Sequence, residues 1–128
     1  MMINTMKTAM IIASDAGART AGIIREELGK EVDLFSVSER SGCVRIDSIT
    51  DFTLRHFGDY EAFVFIGAMG ICVRAIAPCV TSKYADPAVV NVDATGHFVV
   101  SVLAGHVGGA NALTERLARI LGAQPVVT

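Results

Sequence analysis

The sequence lacks the features that mark several common classes of protein. Its three cysteines form no C-x-x-C pair, so neither a disulfide framework nor a structural zinc site is expected. Its 11 basic and 13 acidic residues leave no excess of positive charge for general nucleic-acid binding. No apolar run approaches the roughly 20 residues of a membrane-spanning helix, and the first residues carry no secretory cleavage pattern. These absences predict a cytoplasmic protein that binds neither nucleic acid nor membrane.

Common cofactor and nucleophile motifs are missing as well. The chain has neither a G-x-G-x-x-G motif with an acidic residue downstream nor a G-x-x-x-x-G-K-[ST] loop, which disfavours a nucleotide site. It has no G-x-S-x-G nucleophile elbow. Its histidines are not spaced as metal ligands, so we expect no protein-bound metal.

The pattern of apolar runs predicts a single α/β domain over residues 1–128. This length, with 52% hydrophobic residues, is enough for one compact core. Strand, helix and strand follow each other at βαβ spacing near the start, which implies parallel strands. We expect an open, mostly parallel but mixed sheet with helices on both faces, in three layers. Predicted strands cover residues 8–13, 32–37, 43–46, 62–66, 89–93, 97–103 and 125–127, and predicted helices cover about 15–28, 48–57, 71–77 and 110–121.

Two local features refine this fold. Residues 94–96 (Ala-Thr-Gly) have the length of a hairpin turn, with Gly96 supplying a positive φ. A further strand begins at Pro125, close to the last residue. We therefore expect this chain to be the N-terminal part of a longer protein, with a following C-terminal domain missing.

Residues 99–121 predict a ligand site. An apolar strand is followed by Gly105, Gly108 and Gly109 and then by a helix with apolar residues at i, i+3, i+4 and i+7 spacing. The first N–H groups of a helix lack internal partners, and glycines let an anion approach them closely. His106 lies beside these glycines. Three roles are open to its imidazole: general base, hydrogen-bond donor and metal ligand.

A second glycine turn, with Gly67 and Gly70, follows the strand at residues 62–66. If the strands before both turns are parallel, both turns lie at the carboxyl edge of the sheet, where open α/β sheets bind ligands. Each turn alone is explained by the tightness of the bend. Together the two turns favour one shared anion site.

Charged and polar side chains near these turns are candidates for the same site. Arg74 is predicted near the first turn of its helix, where the dipole disfavours a cation by about 0.3–1 kcal/mol. Either a bound anion compensates, or the guanidinium lies in water. Lys83, in the loop at residues 81–87, either joins this anion site or is solvated. Asn111, one turn into its helix, is within reach of the glycines around His106.

Three segments carry a resemblance to a known family: GAMGICVRAIAP (67–78), SKYADPAVVNVD (82–93) and SVLAGHVGGANALTERLARILGAQPVVT (101–128). They resemble cobalt-precorrin-5A hydrolase, an enzyme family of the anaerobic cobalamin pathway. The resemblance is dense over about residues 60–128, whereas residues 1–59 fit only in the order of strands and helices.

The resemblance implies an enzyme that opens the δ-lactone of a cobalt-bound tetrapyrrole and releases acetaldehyde. This corrinoid substrate carries its own cobalt, so no separate cofactor is implied, and its rim of carboxylates suits helix N-termini and arginine. His106 would be the catalytic base or donor, and the Gly108 and Gly109 amides an oxyanion hole or a carboxylate clamp. The substrate-binding residues would be Gly67, Gly70, Arg74, Lys83, Gly105, Gly108, Gly109 and Asn111.

Family members are longer, with a linker and a C-terminal domain that this chain lacks. Two hypotheses follow: an N-terminal piece of the hydrolase that contributes catalytic residues, or a corrinoid-binding scaffold whose catalytic partner lies in the missing domain. A third is an α/β domain that binds a phosphate ligand. The sequence leaves the oligomeric state open, a homo-oligomer included.

Overall fold

Residues 6–128 are described by a computed structural model, in which strands and helices alternate. The strands are β1 Thr8–Ile12, β2 Val32–Ser36, β3 Val44–Arg45, β4 Ala62–Ile66, β5 Ala88–Val92, β6 Phe98–Leu103 and β7 Gln124–Val126. The helices are α1 Ala18–Leu28, α2 Ile49–His56, α3 Met69–Ile76 and α4 Ala110–Leu121, with 3-10 turns at Asp15–Gly17 and Gly29–Glu31. Within these residues, no helix combines the length and the apolar character needed to cross a membrane.

The strands of residues 6–128 form one mixed sheet in the order β3-β2-β1-β4-β5-β6-β7. Strands β1 to β5 are parallel where they pair, β6 runs antiparallel to β5, and β7 is parallel to β6. The predicted hairpin is confirmed, and Gly96 at its turn has a φ of 75°. The predicted fold class is confirmed as well.

Helices cover both faces of this sheet. On one face, Ile24 of α1 and Leu117 of α4 are buried against alternate residues of the central strands, such as Met10. On the other face, Phe52 of α2 and Cys72 of α3 are buried against the intervening residues, such as Phe65. Because successive side chains of a strand point to opposite faces, one run of apolar residues serves both layers.

The starts of the helices differ in how they are capped. Ser48 caps α2, because its side chain accepts the N–H of Asp51. Ser14 makes no such bond, because a 3-10 turn intervenes before α1 and brings Gly17 against Ile66. Helix α3 begins at Met69, two residues earlier than predicted, because Gly67 alone makes the bend.

Candidate functional site at the amino edge of the sheet

The two glycine turns lie at opposite ends of the sheet. We call the end where β1, β2, β4 and β5 finish the carboxyl edge, and the end where they begin the amino edge. In the hairpin, Val92 pairs with Val99 and Val89 pairs with Leu103, so β6 finishes at the amino edge. The predicted shared edge is therefore wrong. The physical reason is the hairpin itself, which reverses the direction of β6 relative to β4.

The predicted site residues divide between these two edges. Gly67 and Gly70 lie at the carboxyl edge, and Arg74 belongs to the helix that starts there. The amino edge holds the residues that follow β6 or precede β5: Lys83, Gly105, His106, Gly108, Gly109 and Asn111. Lys83 therefore does not join a site at the start of α3, since the whole of α3 separates the two positions.

The predicted place of Arg74 near a helix start is also wrong. Because α3 begins at Met69, Arg74 lies in its last turn, where the helix dipole favours a cation. Its side chain turns back along the helix, so that a Cβ atom at Gly70 would lie 3.3 Å from Nη1 of Arg74. A bound anion is thus not needed to explain the backbone position of Arg74.

Gly67 is explained by close packing at the turn. Its φ is 152°, and a Cβ atom there would lie 2.7 Å from Cβ of Ala13. Its N–H donates to the carbonyl of Val92, and its carbonyl accepts the side-chain amide of Asn91. Both backbone groups of Gly67 are therefore used within the protein.

At the amino edge, residues 105–109 form a tight connection between β6 and α4, which we call the GHVGG loop. Ala104, immediately before the loop, has a positive φ of 60°, which is uncommon for a residue with a side chain. A Cβ atom at Gly108 would lie 2.5 Å from Cβ of Ala104, and one at Gly105 would lie 2.7 Å from Oδ1 of Asn111. These glycines allow the loop to fold onto itself.

This folding changes the expected anion site at the start of α4. The N–H groups of Ala110 and Asn111 donate to the carbonyls of Ala104 and Gly105, at 3.1 and 2.9 Å. The first turn of α4 is therefore partly capped by its own loop. Among residues 6–128, none of the N–H groups of the GHVGG loop has an acceptor. Those of Gly108 and Gly109, next to α4, are the two that the sequence analysis assigns to a ligand.

Asn111 faces the loop that precedes it. Its side chain lies over Gly105, and Nδ2 donates to the carbonyl of Thr128 at 3.5 Å. Since β6 and β7 are parallel, Thr128 follows β7 at the same edge. The Asn111 side chain thus joins the GHVGG loop to the end of the neighbouring strand.

His106 lies exposed in the GHVGG loop. Nδ1 of His56 is 2.9 Å from a carboxylate oxygen of Asp59, and Nδ1 of His97 is 2.8 Å from the hydroxyl of Thr95. In the part of the chain that the structure describes, the His106 ring makes no hydrogen bond. Its nitrogens are accordingly open to a substrate or to water.

The sequence analysis missed a cavity of about 430 Å³ behind the GHVGG loop. Gly109 borders it, with Met6 and Leu28 among the apolar residues of its wall. Arg116 also lines it and pairs with both carboxylate oxygens of Glu31, at 3.3 and 3.4 Å. These residues come from separate parts of the chain, so no local motif could have indicated the cavity.

Comparison with known proteins agrees with this architecture. Residues 51–128 match the family described as cobalamin synthesis G N-terminal. Over 72 residues the chain is 58% identical to cobalt-precorrin-5A hydrolase of Salmonella typhimurium and 49% identical to the protein of that name from Priestia megaterium. These stretches cover 56% of this chain but 20% and 19% of the relatives, so the chain spans about a fifth of their length.

A solved structure shows the same fold. The crystal structure of a cobalamin biosynthesis protein G homolog from Sulfolobus solfataricus matches with a TM-score of 0.76 and 26% sequence identity. The match covers 97% of this chain and 38% of that chain. Both glycine turns and Lys83 lie inside the family match at residues 51–128, which is more than half of the sequence. The chain therefore belongs to the cobalamin synthesis G N-terminal family.

Proposed function

We propose that this chain is the N-terminal part of a cobalt-precorrin-5A hydrolase and that it binds the corrinoid substrate at the amino edge. The observation that carries the proposal is the 58% identity to a relative of that name over 72 residues. The family match spans the whole GHVGG loop, which offers an exposed histidine and, among residues 6–128, backbone amides without acceptors.

Substrate contact is assigned to one edge because the two edges are too far apart. Five residues of β5 separate them, a distance of about 16 Å at roughly 3.3 Å per residue. The turns also face away from each other, so one flat macrocycle does not lie against both. The sequence also predicts a role in substrate binding for Gly67, Gly70 and Arg74, which this proposal leaves out. Corrinoid binding by an Arg74→Ala variant tests that prediction, and the proposal expects binding to be unchanged.

At the amino edge, each group has a role in the proposed lactone hydrolysis. His106 takes a proton from the attacking water or donates a hydrogen bond. The N–H groups of Gly108 and Gly109 stabilise either the developing oxyanion or a rim carboxylate. The cobalt belongs to the substrate, and the proposal includes no resident cofactor. It places the protein in the cytoplasm, in keeping with three free cysteines.

The alternative is a corrinoid-binding scaffold without catalytic residues. It is favoured by the share of the relatives that this chain spans, about a fifth, which leaves most of their length to carry the chemistry. Under this alternative the GHVGG loop binds the substrate, and His106 takes no part in proton transfer.

Turnover by the full-length protein with a His106→Ala substitution separates the two functions. Loss of about 100-fold or more in turnover, with corrinoid binding retained, supports the catalytic role. Unchanged turnover with intact binding supports the scaffold. His97→Ala is a matched control, since His97 is exposed at the hairpin turn of the opposite edge.

A further inference from the structure

A turn at residues 81–86 lies at the amino edge, the same edge as the GHVGG loop. It leads into β5, and β5 pairs with β6 so that Val89 lies opposite Leu103. The chain entering β5 and the chain leaving β6 are therefore neighbours at the amino edge. Lys83 and Tyr84 form part of this turn.

This turn is fixed by its own hydrogen bonds. Asp86 is 7% exposed, and its carboxylate accepts the N–H of Thr81 at 3.1 and 3.0 Å and the Thr81 hydroxyl at 2.8 Å. The hydroxyl of Ser82 accepts the N–H of Tyr84 at 3.0 Å. These hydrogen bonds stabilise the backbone turn that carries Lys83 and Tyr84.

The side chains of Lys83 and Tyr84 are exposed. Tyr84 is 75% exposed, and Nζ of Lys83 lies 5.4 Å from the centre of its ring. Val107, in the GHVGG loop, is 59% exposed. The two neighbouring connections therefore place apolar surface beside a positive charge, which fits a flat apolar ligand with carboxylates on its rim.

We propose that Lys83 and Tyr84 form a second wall of the corrinoid site, a role that rests on the proposed function. The ring of Tyr84 lies against a face of the macrocycle, and the ammonium group of Lys83 binds a rim carboxylate. The cation–π contact places the ammonium over one face of the Tyr84 ring, which leaves the opposite face for the macrocycle.

Titration with cobyrinic acid, a cobalt corrinoid with free rim carboxylates, tests this role. Tyr84→Ala weakens binding roughly fivefold to tenfold through lost stacking, whereas Tyr84→Phe keeps the ring and stays within about twofold. Lys83→Gln weakens binding and reduces its dependence on salt. Leu54→Ala is the control, since Leu54 is 57% exposed on α2. Circular dichroism verifies that each variant is folded.

The outcomes separate this inference from the function on which it rests. If the unaltered chain does not bind cobyrinic acid, the proposed function fails, and the second wall fails with it. If the unaltered chain binds and Tyr84→Ala binds equally well, only the second wall is overturned. A Tyr84→Ala change that alters the sedimentation of the chain but not corrinoid binding assigns this surface to a second copy and also overturns the proposal.

Discussion

At the scale of single residues, the two turns require glycine for different physical reasons. Gly67 has a positive φ and no room for a Cβ atom, and Gly108 has no room because Ala104 lies against it. The sequence analysis explains each turn alone by a tight bend and the two turns together by ligand access. Their spacing could not show the packing, because Ala13, which contacts Gly67, is more than fifty positions away along the chain.

We expect Gly67→Ala to lower the free energy of unfolding by about 1–3 kcal/mol, because the new methyl group overlaps Cβ of Ala13 at a strained φ. Urea unfolding measures the change. The matched control is Gly22→Ala in α1, where a Cβ atom meets nothing within 4 Å. That substitution should stabilise the chain by about 0.5–1 kcal/mol. Equal effects of the two substitutions would contradict the packing at the turn.

At the scale of elements, the β5–β6 hairpin decides at which edge of the sheet the GHVGG loop lies. Gly96 predicts the hairpin turn, and a hairpin makes β6 run antiparallel to β5. The glycine turn after β6 therefore lies at the amino edge, whereas the sequence analysis expects it at the carboxyl edge. The predicted helices agree with the structure to within a few residues. The two-residue shift at the start of α3, however, places Arg74 in the last turn of the helix, where the helix dipole favours a cation instead of disfavouring it. Helix boundaries are the part of a sequence pattern that depends most on tertiary contacts.

Asp93 holds this hairpin together. Its carboxylate accepts the N–H groups of His97 at 2.8 Å and Phe98 at 2.6 Å, and the Thr95 hydroxyl at 2.5 Å. Burial alone would raise the pKa of Asp93, but these hydrogen bonds outweigh it and lower the pKa below its ordinary value of 3.8. The charged form is therefore the one that the fold stabilises.

We expect Asp93→Asn to destabilise the chain by about 1–3 kcal/mol at neutral pH. Because the pKa is lowered on folding, the contribution of Asp93 is present above pH 3.8 and is lost as the pH falls through the folded pKa. The difference between variant and wild type in urea unfolding should thus shrink in acid. Asp47→Asn is the control, since the Asp47 side chain is 93% exposed and should change stability little. A difference for Asp93→Asn that does not change with pH would contradict this account.

At the scale of the whole molecule, the site in the GHVGG loop stays a prediction, whereas the sequence was enough to predict a mixed three-layer sheet. It was not enough to predict which loops share an edge, because strand order and direction arise from pairing between distant segments. Lys83 and the GHVGG loop are about twenty positions apart, yet the pairing of β5 with β6 makes their connections neighbours. The sequence analysis does not name Tyr84 as a site residue, because a single aromatic residue in a polar loop belongs to no helical or strand periodicity that would indicate its role.

The central claim is that the corrinoid binds at the amino edge. The most direct test is a titration of the ¹⁵N-labelled chain with cobyrinic acid in its diamagnetic Co(III) form, followed by amide chemical shifts. The account predicts that the largest shifts occur at residues 105–109 and at Lys83 and Tyr84, with Gly67 and Gly70 unchanged. Largest shifts at Gly67 and Gly70, with residues 105–109 unchanged, would contradict it.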